Sequence, residues 1–245
     1  MIGYIQEKLI FRSTSLKDNY IFSFQTPFNE VYIDTKDGAR LHGIHFKAAN
    51  SKGIILYFHG NARSMDYWGA WGEQLSANYR YDVFLVDYRG YGKSRGKRTL
   101  ASMLNDTNLF YEYCQEHFPE SKIAVFGRSL GGAFASYICT LKKPDKLLIE
   151  SSFTTLAEVI KKKYSFLPVK TILKFPFQNR QNIPDIKIDT YFIHGTEDIL
   201  VPFSMGEQLY TISGSFSKEL FPVSGANHND LRNFSAYHKA LSEIF

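Results

Sequence analysis

A short apolar run that ends in a Gly-x-Ser-x-Gly pentapeptide constrains the fold of this chain more than any other feature. Residues 123–126 favour a strand, the pentapeptide occupies residues 127–131, and residues 133–141 favour a helix. This order of strand, tight turn and helix is that of a nucleophile elbow, which exposes its serine, here Ser129, at the carboxyl end of a sheet strand. Glycines are needed there because a sharp turn leaves no space for side chains beside the serine. A five-residue pattern also occurs by chance, so the rest of the chain has to decide.

The length and composition of the chain fit one soluble domain. Its 245 residues are 44% hydrophobic and 22% charged, which predicts a single α/β domain over residues 1–245. We expect the 21 Phe and 16 Tyr to fill its core, with an acyl-sized groove as the alternative role for some of them. No zinc or RNA-binding motif accompanies the net charge of +5, so we expect no nucleic-acid partner. The lysine run at residues 161–163 is typical of a solvated helix face, with contact to anionic lipid as the alternative.

The cysteines and the apolar runs bear on the compartment of the protein. Cys114 and Cys139 are far apart in the sequence and fall in predicted helices, so we expect buried, reduced thiols. No apolar run reaches the length of a membrane span, and the first residues do not form a recognisable signal peptide. We therefore expect a cytoplasmic protein, associated with a membrane if an anchor precedes Met1. The oligomeric state stays open.

Apolar runs alternate with amphipathic segments, which predicts an α/β fold built from parallel βαβ units with right-handed crossovers. The mostly parallel sheet has helices on both faces and eight predicted strands: residues 31–34, 41–46, 53–58, 83–86, 123–126, 147–149, 191–193 and 220–221. The first two should be antiparallel edge strands around a turn at residues 36–39. The predicted helices are residues 67–78, 101–117, 130–141, 205–212 and 230–244.

One segment, residues 153–186, belongs to no strand–helix unit and is rich in Lys, Phe and Pro. Inserted after the sixth strand, it predicts a small helical cap over the site. Its apolar side chains could line an acyl-chain site, although packing of the cap against the domain also explains them: Phe153, Leu156, Tyr164, Phe166, Leu167, Phe175 and Phe177.

A serine hydroxyl becomes a nucleophile when a histidine takes its proton and an acid orients that histidine. In this kind of fold the chain order is Ser, then Asp or Glu, then His. We predict Asp198 as the acid, because it lies in the loop that leaves the strand at residues 191–193. Two carboxylates compete with it: Glu197 is adjacent, and Glu150 ends the sixth strand.

We predict His228 as the base, because it alone follows the final strand and precedes the last helix. His42 and His45 lie on the early hairpin, and two further histidines lie on helices. His59 and His194 each precede a glycine at a strand end, where structural support is the expected role.

An oxyanion hole needs two backbone N–H donors aimed at the developing charge. Leu130, directly after the nucleophile, supplies one at a helix N-terminus, where the helix dipole assists. We assign the other to Asn61, in the loop after the third strand, with Ala62 as the next candidate. Arg89, in the glycine-rich loop after the fourth strand, is expected to pair with a carboxylate, Asp87 or Glu150.

The motifs that carry these residues resemble those of α/β-hydrolase-superfamily serine hydrolases, from about residue 31 to the C-terminus. The resemblance is greatest to the branch of the bud-emergence-type hydrolases and protein depalmitoylases, and prolyl-oligopeptidase-like domains are more distant. It rests on Phe-His-Gly-Asn-Ala (58–62), Asp-Tyr-Arg-Gly-Tyr-Gly-Lys-Ser (87–94), Gly-Arg-Ser-Leu-Gly-Gly (127–132), Glu-Ser-Ser-Phe-Thr (150–154), His-Gly-Thr-Glu-Asp (194–198) and Gly-Ala-Asn-His-Asn-Asp (225–230).

The resemblance implies that Ser129, Asp198 and His228 match the catalytic triad of the family. We expect a carboxylesterase- or thioesterase-like serine hydrolase that acts on a small-molecule or acyl-chain substrate and needs no cofactor or metal. Two alternatives remain: a peptidase of the prolyl-oligopeptidase type, and a catalytically silent scaffold with the same fold.

Overall fold

The computed structural model describes residue 7 and residues 10–163 and 173–245. Its strands are β1 (Arg12–Ser13), β2 (Phe28–Asp34), β3 (Arg40–Phe46), β4 (Ile54–Phe58), β5 (Ala62–Arg63), β6 (Asp82–Asp87), β7 (Ile123–Arg128), β8 (Lys146–Glu150), β9 (Asp189–Gly195) and β10 (Lys218–Val223). All eight predicted strands are present. The short strands β1 and β5 were not predicted, and they pair with each other in parallel.

The α-helices in the described part of the chain after β1 are α1 (Met65–Tyr79), α2 (Leu100–His117), α3 (Leu130–Leu141), α4 (Leu156–Lys163), α5 (Asn179–Asn182), α6 (Phe203–Ile212) and α7 (Ser235–Ile244). Local chemistry sets several of their ends. Thr99 caps α2, because its hydroxyl accepts a hydrogen bond from the Ser102 N–H at 3.0 Å. Arg80 ends α1 in the left-handed conformation, with φ of 58°.

The chain forms two compact units, Met1–Ala124 and Val125–Phe245. In the first unit the strand order is β4, β6, β3, β2. Strands β4 and β6 are parallel, and every residue of both is buried. This burial explains their near-continuous apolar sequences, which are typical of strands covered on both faces.

Strand β3 corrects one prediction. We expected β2 and β3 to be two edge strands, but β3 lies between β2 and β6 and is antiparallel to both. Every residue of β3 after Arg40 is buried. Buried histidines need polar partners, and the Nε2 atoms of His42 and His45 find them in Glu30 at 3.0 Å and Asp82 at 2.9 Å.

In the second unit the strand order is β10, β9, β8, β7. Strand β9 pairs in parallel with both β8 and β10. Parallel strands bring their carboxyl ends to one edge of a sheet, so the loops after β7, β8, β9 and β10 share that edge. This arrangement positions the candidate site.

The predicted cap, residues 153–186, includes α4, α5 and a 3₁₀ turn at Ile183–Asp185. Tyr164, Phe166 and Leu167 lie outside the described residues, whereas Phe153, Leu156, Phe175 and Phe177 are described and buried. The single domain and its cap stay a prediction. On α4, Lys161 and Lys162 are exposed, as expected of a solvated face.

Both cysteines lie buried in helices as free thiols, as predicted. Burial raises the pKa of the Cys114 and Cys139 thiols far above the usual range. Among the helices that the structure describes, none combines the length and the apolar character needed to cross a bilayer.

Candidate active site

Ser129 occupies the turn between β7 and α3 in a backbone conformation that few residues other than glycine adopt. Its φ is 52° and its ψ is −114°. A side chain on Gly127 would lie 2.5 Å from the Gly131 carbonyl oxygen and 2.6 Å from the Ala135 Cβ. The turn therefore has the strained, glycine-dependent geometry that the sequence pattern predicts.

Hydrogen bonds on both sides of Ser129 hold this strained peptide. Its N–H donates to the Glu150 carbonyl oxygen at 2.8 Å, and its own carbonyl accepts from the Gly132 N–H at 3.0 Å. The Ser152 hydroxyl also donates to that carbonyl at 2.7 Å and accepts from the Asn179 side-chain amide at 2.9 Å. The surrounding structure thus fixes the serine conformation, as it must where backbone strain persists.

The structure brings Ser129, His228 and Asp198 into one hydrogen-bonded chain. The Nε2 atom of His228 lies 3.1 Å from the Ser129 Oγ, and its Nδ1 atom lies 2.7 Å from the Asp198 Oδ2. All three residues are buried. An ionised carboxylate only accepts hydrogen bonds, so Nδ1 carries the imidazole proton and Nε2 is free to accept from the serine hydroxyl.

The Asp198 carboxylate is held as an anion by the loop after β9. Its Oδ1 accepts from the backbone N–H groups of Leu200 at 2.9 Å and Val201 at 2.8 Å. The His194 Nε2 lies 3.4 Å from its Oδ2 and 2.8 Å from the Val201 carbonyl oxygen. Burial raises the pKa of Asp198, but the hydrogen bonds from His194, His228 and Val201 outweigh it and bring the pKa well below its usual range.

The imidazole of His228 is held in its neutral form. Burial lowers its pKa, the hydrogen bond to Asp198 raises it, and the nearby charge of Arg128 lowers it again. The net pKa lies below the usual value of 6.5. At neutral pH the imidazole is therefore able to accept a proton, which is the state that a general base requires.

The competing carboxylates and histidines have other partners. Glu197 is exposed, and the Glu150 carboxylate accepts from the Arg128 Nε at 2.8 Å and the Tyr237 hydroxyl at 2.7 Å. His59 bonds the Asp87 carboxylate at 3.1 Å, in agreement with a structural role. The order of Ser, Asp and His thus selects the residues that the structure brings together.

The two proposed oxyanion donors lie in different units. Leu130 is the first residue of α3, where the N–H groups of the helix are not used within it. The Asn61 carbonyl accepts from the Tyr91 hydroxyl at 2.7 Å and the Arg12 N–H at 3.1 Å, and its side chain donates to the Ile10 carbonyl at 3.0 Å. Their joint role as an oxyanion hole stays a prediction.

Arg89 pairs with carboxylates, but not with either of the two predicted. Its guanidinium binds Asp106 through Nε at 2.7 Å and Nη2 at 2.8 Å, and Asp37 through Nη1 at 2.6 Å. Asp87 instead accepts from His59, and Glu150 from Arg128. The prediction failed because tertiary packing decides which carboxylates meet a buried arginine, and both true partners lie on other elements of the first unit.

Sequence reasoning missed Arg128 as a site residue, and it considered Glu150 as a rival acid and as a partner of Arg89 but not as the partner of Arg128. A signal was present, because a charged residue at the end of a buried strand needs a buried counter-charge, and Glu150 ends another strand of the same sheet. No trio of His, Cys, Asp and Glu among the described residues is arranged to hold a metal ion.

Comparisons with known proteins agree with this fold. A family model described as serine aminopeptidase, S33, matches residues 49–152. The uncharacterized protein Rv2307c of Mycobacterium tuberculosis is 30% identical over 205 residues, which cover 82% of this chain and 72% of that protein. Protein bem46 of Schizosaccharomyces pombe is 26% identical over 232 residues, 90% of this chain and 77% of its own.

Among solved structures, the Pyrococcus furiosus esterase Pf2001 superposes with a TM-score of 0.74 at 21% sequence identity, over 96% of this chain and 95% of that chain. The predicted fold class, an eight-stranded, mostly parallel sheet flanked by helices, is confirmed as the α/β-hydrolase fold. The chain is an α/β-hydrolase of the same family as Rv2307c, and its residues 49–152 match the serine aminopeptidase, S33, model. The predicted resemblance to the bud-emergence branch is likewise confirmed.

Proposed function

We propose that this hydrolase cleaves carboxylic esters or thioesters through an acyl-enzyme formed on Ser129. The observation that carries the proposal is the chain of hydrogen bonds from the Ser129 hydroxyl through the His228 imidazole to the Asp198 carboxylate. In this proposal Ser129 is the nucleophile, His228 the general base and Asp198 the residue that orients the base.

The reaction follows from this geometry. As the Ser129 Oγ attacks the acyl carbonyl, its proton passes to the His228 Nε2, and the Asp198 carboxylate stabilises the imidazolium. The N–H groups of Leu130 and Asn61 are proposed to bind the oxyanion. His228 then gives the proton to the departing alkoxide or thiolate, and a water activated by the same imidazole releases the acid and restores Ser129.

An ester or thioester substrate is favoured by the apolar residues of the predicted cap. Phe153, Phe175 and Phe177 are buried there, and the centroid of the Phe177 ring lies 5.0 Å from that of the Phe134 ring on α3. Apolar side chains of this kind suit an acyl chain better than a peptide backbone, whose amides need hydrogen-bond partners.

A fluorophosphonate probe tests the nucleophile directly, because it reacts with an activated serine. We expect the probe on Ser129, mapped by mass spectrometry, and hydrolysis of p-nitrophenyl esters that varies with acyl length. Ser129→Ala should lose both signals, whereas Ser204→Ala, at an exposed serine on α6, should keep them. Ester hydrolysis that persists in Ser129→Ala would falsify the assignment.

Peptide hydrolysis is the second candidate, favoured by the aminopeptidase description of the matching family model. Amides and esters both pass through an acyl-enzyme, so the same three residues would serve. Aminoacyl p-nitroanilides separate the two: turnover of these with none of the esters would replace the first proposal. An unlabelled wild-type protein would instead point to a silent scaffold.

A further inference from the structure

The side chain of Arg128, the residue directly before Ser129, reaches from the end of β7 to the loop that carries His228. Its Nη2 donates to the His228 carbonyl oxygen at 2.6 Å and to the Asn229 Oδ1 at 3.1 Å. Its Nε donates to the Glu150 Oε1 at 2.8 Å. One guanidinium therefore links the strand that presents the nucleophile to the backbone of the proposed base.

The guanidinium is itself held in place. Glu150 is 1% exposed, and its second carboxylate oxygen accepts from the Tyr237 hydroxyl on α7 at 2.7 Å. Arg128 is 7% exposed, so its hydrogen bonds are formed away from bulk water. A planar guanidinium bonded to several elements transmits their positions, which a flexible ammonium does less well.

We propose that Arg128 is a positioning residue that fixes the His228 imidazole against the Ser129 hydroxyl. The inference rests on the proposed function, because it deepens the roles given to these two residues. Arg128 is joined to Ser129 by one peptide bond and to His228 by the carbonyl of that residue itself. A displacement of the histidine loop away from the nucleophile breaks this hydrogen bond unless the guanidinium moves with it, and its bond to Glu150 opposes that movement.

The charge of Arg128 acts on the same imidazole. Among the described residues of the second unit, the groups that act on His228 include Asp198 and His194 from β9 and the loop after it, and Arg128 and Ser129 from the elbow. Apart from the larger effect of burial, the guanidinium disfavours the imidazolium, whereas Asp198 favours it. Loss of this cation should therefore raise the pKa of His228.

Three variants separate the geometric effect from the charge. Arg128→Gln removes the cation, Arg128→Lys keeps it without the planar fork, and Tyr237→Phe removes the far hydrogen bond to Glu150 but leaves the Arg128 contacts intact. The pKa of His228 is measured by NMR titration of the imidazole, which needs no turnover, and kcat and KM are measured across the same pH range.

In Arg128→Gln we expect two values to rise together by roughly half a pH unit or more. These are the pKa of His228 measured by NMR and the pKa that the acid limb of the kcat/KM profile gives. In Arg128→Lys the pKa should stay near that of the wild type while kcat falls about tenfold or more at an unchanged KM, because the base is no longer held. Tyr237→Phe should lower the melting temperature and leave the pKa in place.

The outcomes distinguish this proposal from the one that it rests on. If the wild-type protein resists the fluorophosphonate probe but the pKa of His228 shifts in Arg128→Gln, the proposed function is refuted. The role of Arg128 in setting the pKa of His228 then still stands. A protein that labels, with an unchanged pKa in Arg128→Gln and an unchanged kcat in Arg128→Lys, would overturn the role of Arg128. If Arg128→Gln does not fold, the kcat of Arg128→Lys decides.

Discussion

Each unit of the molecule buries one arginine among acceptors, and the two arginines use their donors differently. Arg89 is 2% exposed, and its guanidinium donates hydrogen bonds to two carboxylates, Asp106 and Asp37, and to the Lys97 carbonyl oxygen. Those hydrogen bonds, with Asp106 foremost, raise the pKa of Arg89 further above its usual value. Arg128 pairs with the Glu150 carboxylate, and its Nη2 donates to the histidine loop.

The role of a buried arginine is therefore set by its partners more than by its burial. A guanidinium closed by carboxylates ties scaffold elements together and costs stability when one member of the pair is lost. A guanidinium that shares its donors with a loop carrying a titratable group also affects the chemistry of that group. Substitution of Arg89 should therefore change mainly the stability of the protein. Substitution of Arg128 should change its activity and the pKa of His228.

The largest effect should come from Asp198→Asn, in the second unit. The amide keeps the shape of the side chain but no longer imposes the productive tautomer on His228, so kcat should fall about 10³–10⁴-fold. Asp106→Asn, which alters a carboxylate paired with Arg89, is the matched control and should keep kcat within a few-fold. Similar kcat losses in both variants would erase the distinction between the two units.

A large loss of stability without a chemical effect is expected for Arg89→Met. Asp106 would be left as a buried carboxylate without its cation, at a cost of about 3 kcal/mol in the free energy of unfolding. Urea unfolding measures this change, and the pKa of His228 should not move. Arg40→Met, which removes an exposed pair with Asp34, should cost no more than about 0.5 kcal/mol.

Gly132→Ala tests the support of the elbow on a smaller scale. The added methyl group would overlap the Ser152 hydroxyl, which donates to the Ser129 carbonyl. Overpacking of this kind costs about 1–3 kcal/mol, and ester turnover should fall with it. Ser152→Gly removes both the overlap and the hydrogen bonds of that hydroxyl, so the double variant should lose less stability than the two single variants together; strictly additive losses would show that this contact is not the cause.

The smallest effect is the pH dependence of stability. Burial lowers the pKa of His228, so the unfolded chain binds this proton more tightly, and stability is lost as the pH falls below about 6.5. His228→Gln should therefore weaken the fall in unfolding free energy between pH 7.5 and pH 5. Part of the pH dependence should persist in His228→Gln, because burial also lowers the pKa of His42 and His45 in the first unit. A dependence that is unchanged in His228→Gln contradicts this account.

Much of the fold and site could be predicted because the signals are local. Continuous apolar runs predict buried strands, and the glycine spacing around Ser129 predicts the strained turn that the structure contains. Asp198 was chosen over Glu150 because it lies in the loop after its strand, whereas Glu150 is the last residue of a strand. The partners of Arg89 could not be predicted in this way, because Asp106 lies on α2 and Asp37 in a distant turn.

The order of residues along the chain was enough to give the class of fold, the elbow and the three side chains of the candidate site, since each depends on the periodicity, glycine sterics or chain order of a short segment. The position of β3 inside its ladder, the carboxylates around Arg89 and the link from Arg128 to His228 depended on the folded chain. Each of these joins residues far apart in sequence, and which of several equally charged or apolar groups come into contact is set by the packing of whole elements.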